Sequence, residues 1–265
     1  MFKARKNHFQ TTSAYQPILR ELGLDVETIF THPQIKVWRS IRERDNCTLD
    51  ADLHDRRHIR LHIKRYHPTR RSITPADEEA VGITALQNAG IPTVPLVGYG
   101  KSITGQSFLI TEDLTGYDDA QKLIEGGYPF EKLLEITAKT AATLHEKGLH
   151  HRDLYLCHFY VRPENPSDLR LIDAARVRTL PRFLTRQRWI VKDLAQFWYS
   201  TLAHRAITDQ QREQWLNHYA GFRQIENITS LRQSILQKSN WIARHDQKLQ
   251  QSQKERFVSV PKLPN

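Results

Sequence analysis

The sequence predicts an α+β chain in which a small β-rich part precedes a larger helical part. Before Gly116, the segments 34–42 and 58–66 alternate apolar and polar residues as half-buried strands do, and two more strands fit 93–99 and 106–111. Four longer segments after it repeat apolar residues at helical spacing: 130–147, 187–203, 208–220 and roughly 227–250. This change in pattern predicts a linker near residues 112–118.

The β-rich part is predicted to run strand, strand, helix, strand, strand. The polar stretch 45–57 has no glycine and is predicted to connect the first two strands. Thr74 can cap a helix that begins at Pro75, and the acidic residues at 77–79 suit the positive end of the helix dipole. Gly90 is predicted to end this helix.

In the helical part, one face of the first long helix is apolar and consists of Phe130, Leu133, Leu134, Thr137, Ala141 and Leu144. Gly148 ends that helix, and two short apolar runs follow at Phe159–Val161 and Leu169–Ile172, separated by a turn-rich stretch. Thr208 and Gln211 predict a capping box at the start of a later helix. The five tryptophans are predicted to be core residues: Trp38, Trp189, Trp198, Trp215 and Trp241.

These patterns predict four regions. Residues 1–30 form an N-terminal extension, 31–114 a β-rich lobe, 115–250 a helical lobe, and 251–265 a polar tail. No window approaches 18 consecutive apolar residues, so no transmembrane segment is expected. The basic N-terminus lacks the apolar stretch of a secretory signal.

The net charge is positive, because 39 lysines and arginines exceed 29 aspartates and glutamates to give +10. Such a chain attracts anions, and nucleic acid, nucleotide phosphates, anionic lipid headgroups and phosphorylated sugars are all candidates on charge alone. Cys47 and Cys157 are far apart in the sequence and give no disulfide framework, which favours a reducing compartment.

The stretch LHHRDLYLCHFYV at 149–161 concentrates three histidines, a cysteine, an arginine and an aspartate. A structural zinc site usually needs two spaced pairs of ligands. Here the histidines at 150 and 151 are adjacent, as are Cys157 and His158, and no second Cys/His pair follows at matching spacing. A zinc site is therefore disfavoured.

The alternative is the catalytic loop of a phosphoryl-transfer enzyme, which requires partners elsewhere in the chain. His151-Arg152-Asp153 matches the H-R-D motif, and Asp173 follows on the second apolar run as a metal-binding carboxylate. Upstream, LHIK at 61–64 matches the strand that carries the phosphate-binding lysine, Lys64. Glu79 on the next helix is the expected partner of this lysine, and Glu78 is the weaker candidate.

Three segments resemble the Kdo/WaaP lipopolysaccharide core kinase family, which is related to protein kinases. They are LHEKGLHHRDLYLCHFYV, LRLIDAARVR and RWIVKDLAQFWYS. The resemblance runs from about Lys64 to Ser200. It implies a bilobal protein-kinase-like fold, and ATP-dependent phosphorylation of a heptose or Kdo hydroxyl of the inner core at the cytoplasmic face of the inner membrane. An anionic glycolipid is then the expected acceptor, and no nucleic-acid partner is expected.

The resemblance also implies residue roles. His151, Arg152 and Asp153 form the catalytic loop, with Asp153 orienting the acceptor hydroxyl or accepting its proton. Lys64 and Glu79 position the ATP phosphates, and the segment from Glu112 to Leu114 contacts adenine through its backbone. Asp173 holds Mg²⁺, and Asp193 is expected to be a buried aspartate that braces the loop.

Three departures from the protein-kinase pattern stand out. No G-x-G-x-x-G motif lies between the first two strands, and His62 replaces the small residue under adenine. His158 replaces the asparagine that holds a second Mg²⁺. Because Mg²⁺ prefers oxygen ligands, three roles stay open for His158: a ligand of Mn²⁺, a hydrogen-bonding residue, or neither.

The acceptor is not fixed by the motifs. Arg178, Arg182 and Arg186 belong to the basic run RTLPRFLTRQR and are candidates to bind an anionic acceptor, although such a run also suits a solvated face. Besides the lipopolysaccharide kinase, two hypotheses stay open. One is a kinase for protein or another small molecule, and the other is a nucleotide-binding pseudokinase.

Overall fold

The computed structural model describes residues 7–252, so the predicted tail over 251–265 lies outside the described residues except for its first two positions. The described chain divides into two compact units. One contains the residues up to Ala85 and Val94–Thr115, and the other contains Leu86–Thr93 and the residues from Gly116 onward.

The first unit is built on one six-stranded antiparallel sheet. Its strands are β1 (His8–Thr11), β2 (Lys36–Ser40), β3 (Arg44–Asp52), β4 (His58–Tyr66), β5 (Leu96–Lys101) and β6 (Ser107–Glu112). The spatial order is β1-β5-β6-β4-β3-β2, so β4, which carries Lys64, is an interior strand. Two helices accompany the sheet, α1 (Gln16–Glu21) and α2 (Pro75–Asn88).

Strand β3 corrects the prediction of a polar connection at 45–57. It pairs with β4 along its whole length, from Arg44 opposite Tyr66 to Asp52 opposite His58. Buried and exposed residues do not alternate regularly along β3, because the four consecutive positions 46–49 are all buried. A strand that is covered on both faces lacks the simple alternation that reveals a half-buried strand.

Strand β1 lies inside the predicted N-terminal extension and was not predicted. It pairs with β5, where Gly98 and Gly100 allow a close approach. A Cβ atom at Gly98 would lie 2.8 Å from the Gln10 carbonyl oxygen, and one at Gly100 would lie 2.3 Å from the His8 carbonyl oxygen. These two glycines therefore permit the extra edge strand.

Helix α2 begins as predicted. Thr74 Oγ1 accepts from the Asp77 N–H at 3.1 Å, and Asp77 Oδ2 accepts from the Thr74 N–H at 2.7 Å. This reciprocal cap satisfies two N–H groups that would otherwise lack partners. The helix ends before Gly90, whose φ of 70° suits a left-handed helix terminus.

The second unit is mainly helical. Its helices are α3 (Ala120–Glu125), α4 (Glu131–Glu146), α5 (Arg186–Leu202), α6 (Asp209–Phe222) and α7 (Ile228–Ser252). Its strands are β7 (Asp118–Asp119), β8 (Leu149–His150), β9 (Phe159–Arg162), β10 (Asn165–Leu171) and β11 (Arg178–Thr179). They form a three-stranded sheet, β10-β9-β7, and the pair β11-β8. The predicted capping box at Thr208 and Gln211 is present.

The tryptophans correct a second prediction. Trp198 and Trp215 are buried, and Trp215 stacks on Phe197 with ring centroids 4.1 Å apart. Trp38 and Trp241, in contrast, are 56% and 50% exposed. Every residue of the edge strand β2, which carries Trp38, is exposed, so this strand has no core face on which a tryptophan could be buried.

Among residues 7–252, no helix is both long enough and apolar enough to cross a bilayer.

Candidate active site

The predicted lysine–glutamate pair is present in the first unit. Lys64 Nζ on β4 contacts Glu79 Oε1 on α2, and the Tyr66 hydroxyl donates to Glu79 Oε2 at 2.7 Å. Glu79 is only 3% exposed, so its charge requires these partners. The predicted choice of Glu79 as the partner of Lys64 is therefore confirmed, whereas the role of the pair in holding phosphates stays a prediction.

His62 lies on the same face of β4 as Lys64. Its ring is next to the Trp38 indole, with centroids 6.0 Å apart. Burial, together with the charges of Lys64 and Arg44, lowers the pKa of His62 to about 3. A neutral imidazole therefore stands beside the lysine at physiological pH, and adds no further positive charge.

The predicted adenine-binding segment begins at the end of β6. The Glu112 N–H donates to the Pro95 carbonyl at 3.1 Å, and the Asp113 N–H donates to the Arg60 carbonyl at 2.9 Å. The Glu112 carboxylate accepts from the Tyr15 hydroxyl. Two of the backbone donors in this segment are thus already used, and contact with a base would depend on the carbonyl groups and on Leu114.

The loop at 151–153 in the second unit is fastened to α5 by Asp193. One oxygen of this fully buried carboxylate accepts from the His151 N–H at 2.6 Å, and the other accepts from the Arg152 N–H at 2.8 Å. Arg152 has a φ of 71°, a left-handed conformation that is costly for a residue with a side chain. Asp193 offsets this cost and fixes the direction in which Asp153 projects.

Two further residues of α5 hold the same loop, and the sequence did not reveal them. Gln196 Nε2 donates to the Arg152 carbonyl at 2.8 Å, and the Leu154 N–H donates to Gln196 Oε1 at 3.4 Å. Ser200 Oγ accepts from the Leu156 N–H at 2.9 Å. Positions 193, 196 and 200 share one helix face, and this i, i+3, i+7 spacing of polar residues was the available signal.

His145 lies in the last turn of α4 and is fully buried. Its Nε2 lies 3.4 Å from Asp193 Oδ2, and its Nδ1 lies 2.8 Å from the Tyr219 hydroxyl. Burial raises the pKa of Asp193, but hydrogen bonds from His145 and from the backbone outweigh it and hold that pKa below its usual range. Asp193 is therefore ionised and supports the loop as an acceptor.

Asp153 projects from this loop and meets Arg176, which was not predicted. Arg176 Nη1 donates to both carboxylate oxygens, at 2.9 Å and 3.1 Å. Burial raises the pKa of Asp153, and the negative charge of Asp173 adds to this effect, while Arg176 opposes it. Because the Arg176 side chain is half exposed, the pair is accessible and can exchange with a substrate group.

Asp173 and His158 are neighbours, whereas their role in holding a metal ion stays a prediction. His158 Nε2 lies 3.5 Å from Asp173 Oδ2, and His158 Nδ1 donates to the Asp153 carbonyl at 2.6 Å. Burial lowers the pKa of His158, but a hydrogen bond with Cys157 and the Asp173 charge raise it to about 10. His158 thus connects the two aspartates that the motifs singled out.

The segment that carries Asp173 is held by backbone hydrogen bonds. The Leu171 N–H donates to the Pro92 carbonyl at 2.9 Å, and Thr93 Oγ1 donates to the Leu171 carbonyl at 2.6 Å. The buried His151 donates from Nε2 to the Ile172 carbonyl at 3.0 Å. His151, predicted as catalytic, therefore lies in the structure as a link between the loop and this segment.

The donor atoms fit a hard divalent cation only in part. Asp173 supplies carboxylate oxygen at a left-handed position, with a φ of 59°. Mg²⁺ commonly takes one or two protein carboxylates and completes its shell with water and phosphate oxygens, which such a site allows. Among residues 7–252, no group of three or more His, Cys, Asp or Glu side chains is arranged to hold a metal without such help.

The three arginines predicted to bind the acceptor differ in their contacts. Arg178 is half-buried, and its Nη1 donates to two backbone carbonyls of its own segment at 3.1 Å and 2.7 Å. Arg186 Nη2 donates to the His145 carbonyl at 3.3 Å. Arg182 is exposed. Arg178 and Arg186 therefore have structural partners, and Arg182 is the most accessible of the three.

The two-part architecture and the loop at 151–153 can be compared with solved structures. A solved structure of an aminoglycoside-3'-phosphotransferase of type VIII aligns with 84% of this chain and 98% of its own, with a TM-score of 0.52 and 14% identity. The protein has a protein-kinase-like fold with a sheet-rich N-terminal part and a helical C-terminal part, and the predicted fold class is confirmed.

The family follows from the sequence match. The model of the lipopolysaccharide kinase (Kdo/WaaP) family matches residues 37–219, well over half of the chain. The chain belongs to this family, and the resemblance noted in its motifs is confirmed.

Two relatives illustrate the family. The lipopolysaccharide core heptose(I) kinase WaaP of Pseudomonas aeruginosa is 34% identical over 143 residues, which is 48% of this chain and 53% of that protein. The protein of the same name from Escherichia coli K12 is 28% identical over 190 residues, 66% of this chain and 70% of that protein. The match thus spans about half the length of the first relative.

Proposed function

We propose that this protein is an ATP-dependent kinase that phosphorylates a sugar hydroxyl, on heptose or Kdo, of the lipopolysaccharide inner core. The observation that carries the proposal is the loop braced by Asp193, which presents Asp153 next to the Asp173–His158 pair in a member of this family. Family membership and the names of the relatives support the acceptor class.

Phosphoryl transfer asks a protein mainly for positioning and for neutralisation of charge. Asp153 would orient the acceptor hydroxyl and accept its proton as the oxygen bonds to the γ-phosphorus and the bond from that phosphorus to the bridging oxygen breaks, releasing ADP. The carboxylate must first exchange its ion pair with Arg176 for a hydrogen bond with the hydroxyl, which the exposure of Arg176 permits. Arg152 and His151 would act through the loop backbone, as positioning residues.

Three groups of residues are proposed to hold the nucleotide. Lys64, oriented by Glu79, would contact the α- and β-phosphates, and the segment from Glu112 to Leu114 would contact adenine. Asp173 would hold Mg²⁺, with His158 as its neighbour or, with Mn²⁺, as a second ligand. When bound, the cation neutralises charge on the phosphates.

The proposal is tested by transfer of labelled γ-phosphate. Purified protein, ATP and Mg²⁺ are incubated with inner-core glycolipid that lacks core phosphate, and label in the glycolipid is measured. A general protein substrate and free sugars serve as alternative acceptors. Labelled glycolipid is expected. Label only in protein would point to a protein kinase, and no label in any acceptor would point to a pseudokinase.

Replacement of Lys64 tests the nucleotide-binding role. Lys64→Met is expected to reduce the stabilisation that Mg-ATP gives to the folded protein, because a ligand that binds only the native state raises its apparent stability. Thermal unfolding with and without saturating Mg-ATP measures the shift. Lys101→Met on β5 is the control, since Lys101 lies on another strand and donates to the backbone carbonyl of Arg71. Equal nucleotide-dependent shifts in both variants would remove Lys64 from the site.

A membrane-embedded acceptor also requires that the protein work at the membrane surface. The segment 178–188 has the composition of an interfacial contact. Phe183 and Leu184 at its tip are 81% and 102% exposed, and they follow Arg182, which is also exposed. Apolar side chains flanked by arginines suit a surface of anionic headgroups over acyl chains. These features support a cytoplasmic protein that is peripheral to the inner membrane.

Charge reversal in this segment tests the membrane placement. Each basic residue near an anionic surface contributes about 1 kcal/mol, so Arg182→Glu with Arg186→Glu is expected to weaken binding to anionic glycolipid vesicles by at least about 30-fold at low salt. Wild type is expected to release at ~0.5 M salt, where the Debye length is only a few ångströms. Co-sedimentation measures both.

The control for this experiment is Lys139→Glu, because Lys139 is an exposed lysine of α4 and does not belong to the segment. Phe183→Ser with Leu184→Ser separately tests the apolar tip. If the reversed protein sediments like Lys139→Glu, the basic segment is a solvated face and does not bind membranes.

A further inference from the structure

A cluster of positive charge surrounds the Trp189 ring on α5. The Arg152 guanidinium carbon lies 4.9 Å from the ring centroid, and Lys192 Nζ lies 5.3 Å from it. The His150 ring also contacts this indole, with centroids 4.8 Å apart. Arg152 belongs to the loop, Lys192 to α5, and His150 to β8, which directly precedes the loop, so the cluster adjoins the structure that presents Asp153.

The two cations lack a carboxylate partner. Within residues 7–252, neither Arg152 nor Lys192 forms an ion pair, and Arg152 Nε is buried without any hydrogen-bond acceptor. The buried carboxylate of Asp193, which follows Lys192 in the sequence, already accepts from two backbone N–H groups and from His145. A half-buried charge without a partner costs free energy, and this cost indicates a missing anion.

Other charges near the cluster increase the deficit. Burial, and next Arg176 and Arg178, lower the pKa of Arg152, and burial and Arg176 do the same to Lys192. Burial lowers the pKa of His150 to about 4, so that ring adds no charge. Asp153 and Asp193 oppose these shifts of Arg152 and Lys192, but Asp153 accepts from Arg176, and Asp193 accepts from the loop backbone and His145. Among the described residues, neither carboxylate therefore forms a hydrogen bond with the side chain of Arg152 or Lys192.

We infer that Arg152 and Lys192, both against Trp189, form a subsite for an acidic group of the acceptor. The ligand class is a sugar that carries a carboxylate or a phosphate monoester close to the hydroxyl that is phosphorylated. The inference rests on the proposed function, since the ligand is an acceptor only if the protein is a kinase. Asp153 follows Arg152 directly and would orient the reacting hydroxyl, so the acidic group would lie close to that hydroxyl. The anion would accept hydrogen bonds from the Arg152 guanidinium and from Lys192 and would offset their charges.

The subsite is tested first by binding, without turnover. Inorganic phosphate and acetate are titrated into the protein without nucleotide, and the indole N–H resonance of Trp189, assigned with Trp189→Phe, is followed. Lys192→Gln is expected to weaken phosphate binding about tenfold, the effect of losing roughly one hydrogen bond to a charged group. Lys192→Arg is expected to restore it. Comparison of phosphate with acetate identifies the preferred anion.

Lys139→Gln on α4 is the matched control, since it makes the same change at an exposed lysine of the same unit. In the glycolipid assay, Lys192→Gln is expected to raise KM for the acceptor about tenfold and to leave KM for ATP unchanged. Loss of phosphate binding in Lys192→Gln without any kinase activity in wild type would sustain the subsite and reject the proposed function. If Lys192→Gln binds phosphate as tightly as Lys139→Gln does, the subsite is overturned, whatever the kinase activity of the wild type.

Discussion

Asp153→Asn is expected to lower phosphoryl transfer at least ~100-fold, the low end of what a positioned acid or base contributes. The amide keeps the size of the side chain but cannot accept the hydroxyl proton as a carboxylate does. It also loses the charge that holds Arg176, whose Nη1 donates to both oxygens in the structure. Initial rates with saturating ATP and glycolipid measure the loss.

Nucleotide binding separates a chemical effect from unfolding. Asp153→Asn is expected to keep the Mg-ATP-dependent thermal shift of wild type, since the proposed phosphate contacts are at Lys64 and Asp173. Asp118→Asn provides the control, because Asp118 is an exposed aspartate of the same unit. If Asp153→Asn transfers phosphate nearly as fast as this control, Asp153 is not the base.

Asp193→Ala is expected to reduce the free energy of unfolding by about 2–6 kcal/mol, because each of two buried N–H groups left without an acceptor costs about 1–3 kcal/mol. The deletion leaves the N–H groups of His151 and Arg152 without their acceptor and leaves His145 without its carboxylate. Arg152 would then relax from its left-handed conformation, and transfer would fall with the loss of loop geometry. Urea unfolding measures the stability change.

Asp193→Asn tests the same role of Asp193 if the Asp193→Ala protein does not fold. Its one remaining carbonyl oxygen can accept from one of the two backbone groups, so a smaller loss is expected. Asp118→Ala should stay within about 0.5 kcal/mol of wild type, as an exposed substitution usually does. A free energy of unfolding for Asp193→Ala within that same interval would show that Asp193 does not brace the loop.

The effect of Asp193 should depend on pH. Hydrogen bonds hold its folded-state pKa below the usual value, so its contribution is fully present above the unfolded pKa of about 3.9. The contribution is lost as the pH falls through the lower, folded-state pKa. The difference in stability between wild type and Asp193→Ala should therefore be constant near neutral pH and shrink in acid.

The sequence alone predicted the fold class and the residues of the motifs. Local patterns carried this information, because alternation marks a half-buried strand and helical spacing marks an amphipathic helix. Lys64 and Glu79 could be paired because a strand followed by a capped helix sets them on neighbouring elements. Asp153, Asp173 and Asp193 could be assigned from the H-R-D, I-D and K-D-L-A segments, and the structure shows Asp193 bonded to the loop as expected.

The sequence patterns did not predict the strands whose stability depends on pairing with neighbouring strands. Strand β3 contains too many polar residues to look like a strand, yet pairing with β4 buries its centre. Strand β1 is four residues long and depends on two glycines of a strand nearly ninety positions later. Trp38 was placed in the core by its residue type, but an edge strand exposes it.

The tertiary structure alone decided how the motif residues are held and which partners they have. Gln196 and Ser200 on α5 and His145 on α4 support the loop. Each does so through a contact with a residue more than forty positions away in the sequence. Arg176 on Asp153, and the pair of cations at Trp189, likewise arise only when the chain is folded. The physical reason is that motif spacing records which groups the chemistry needs, whereas the burial and hydrogen bonds that orient those groups depend on long-range packing, which no local pattern specifies.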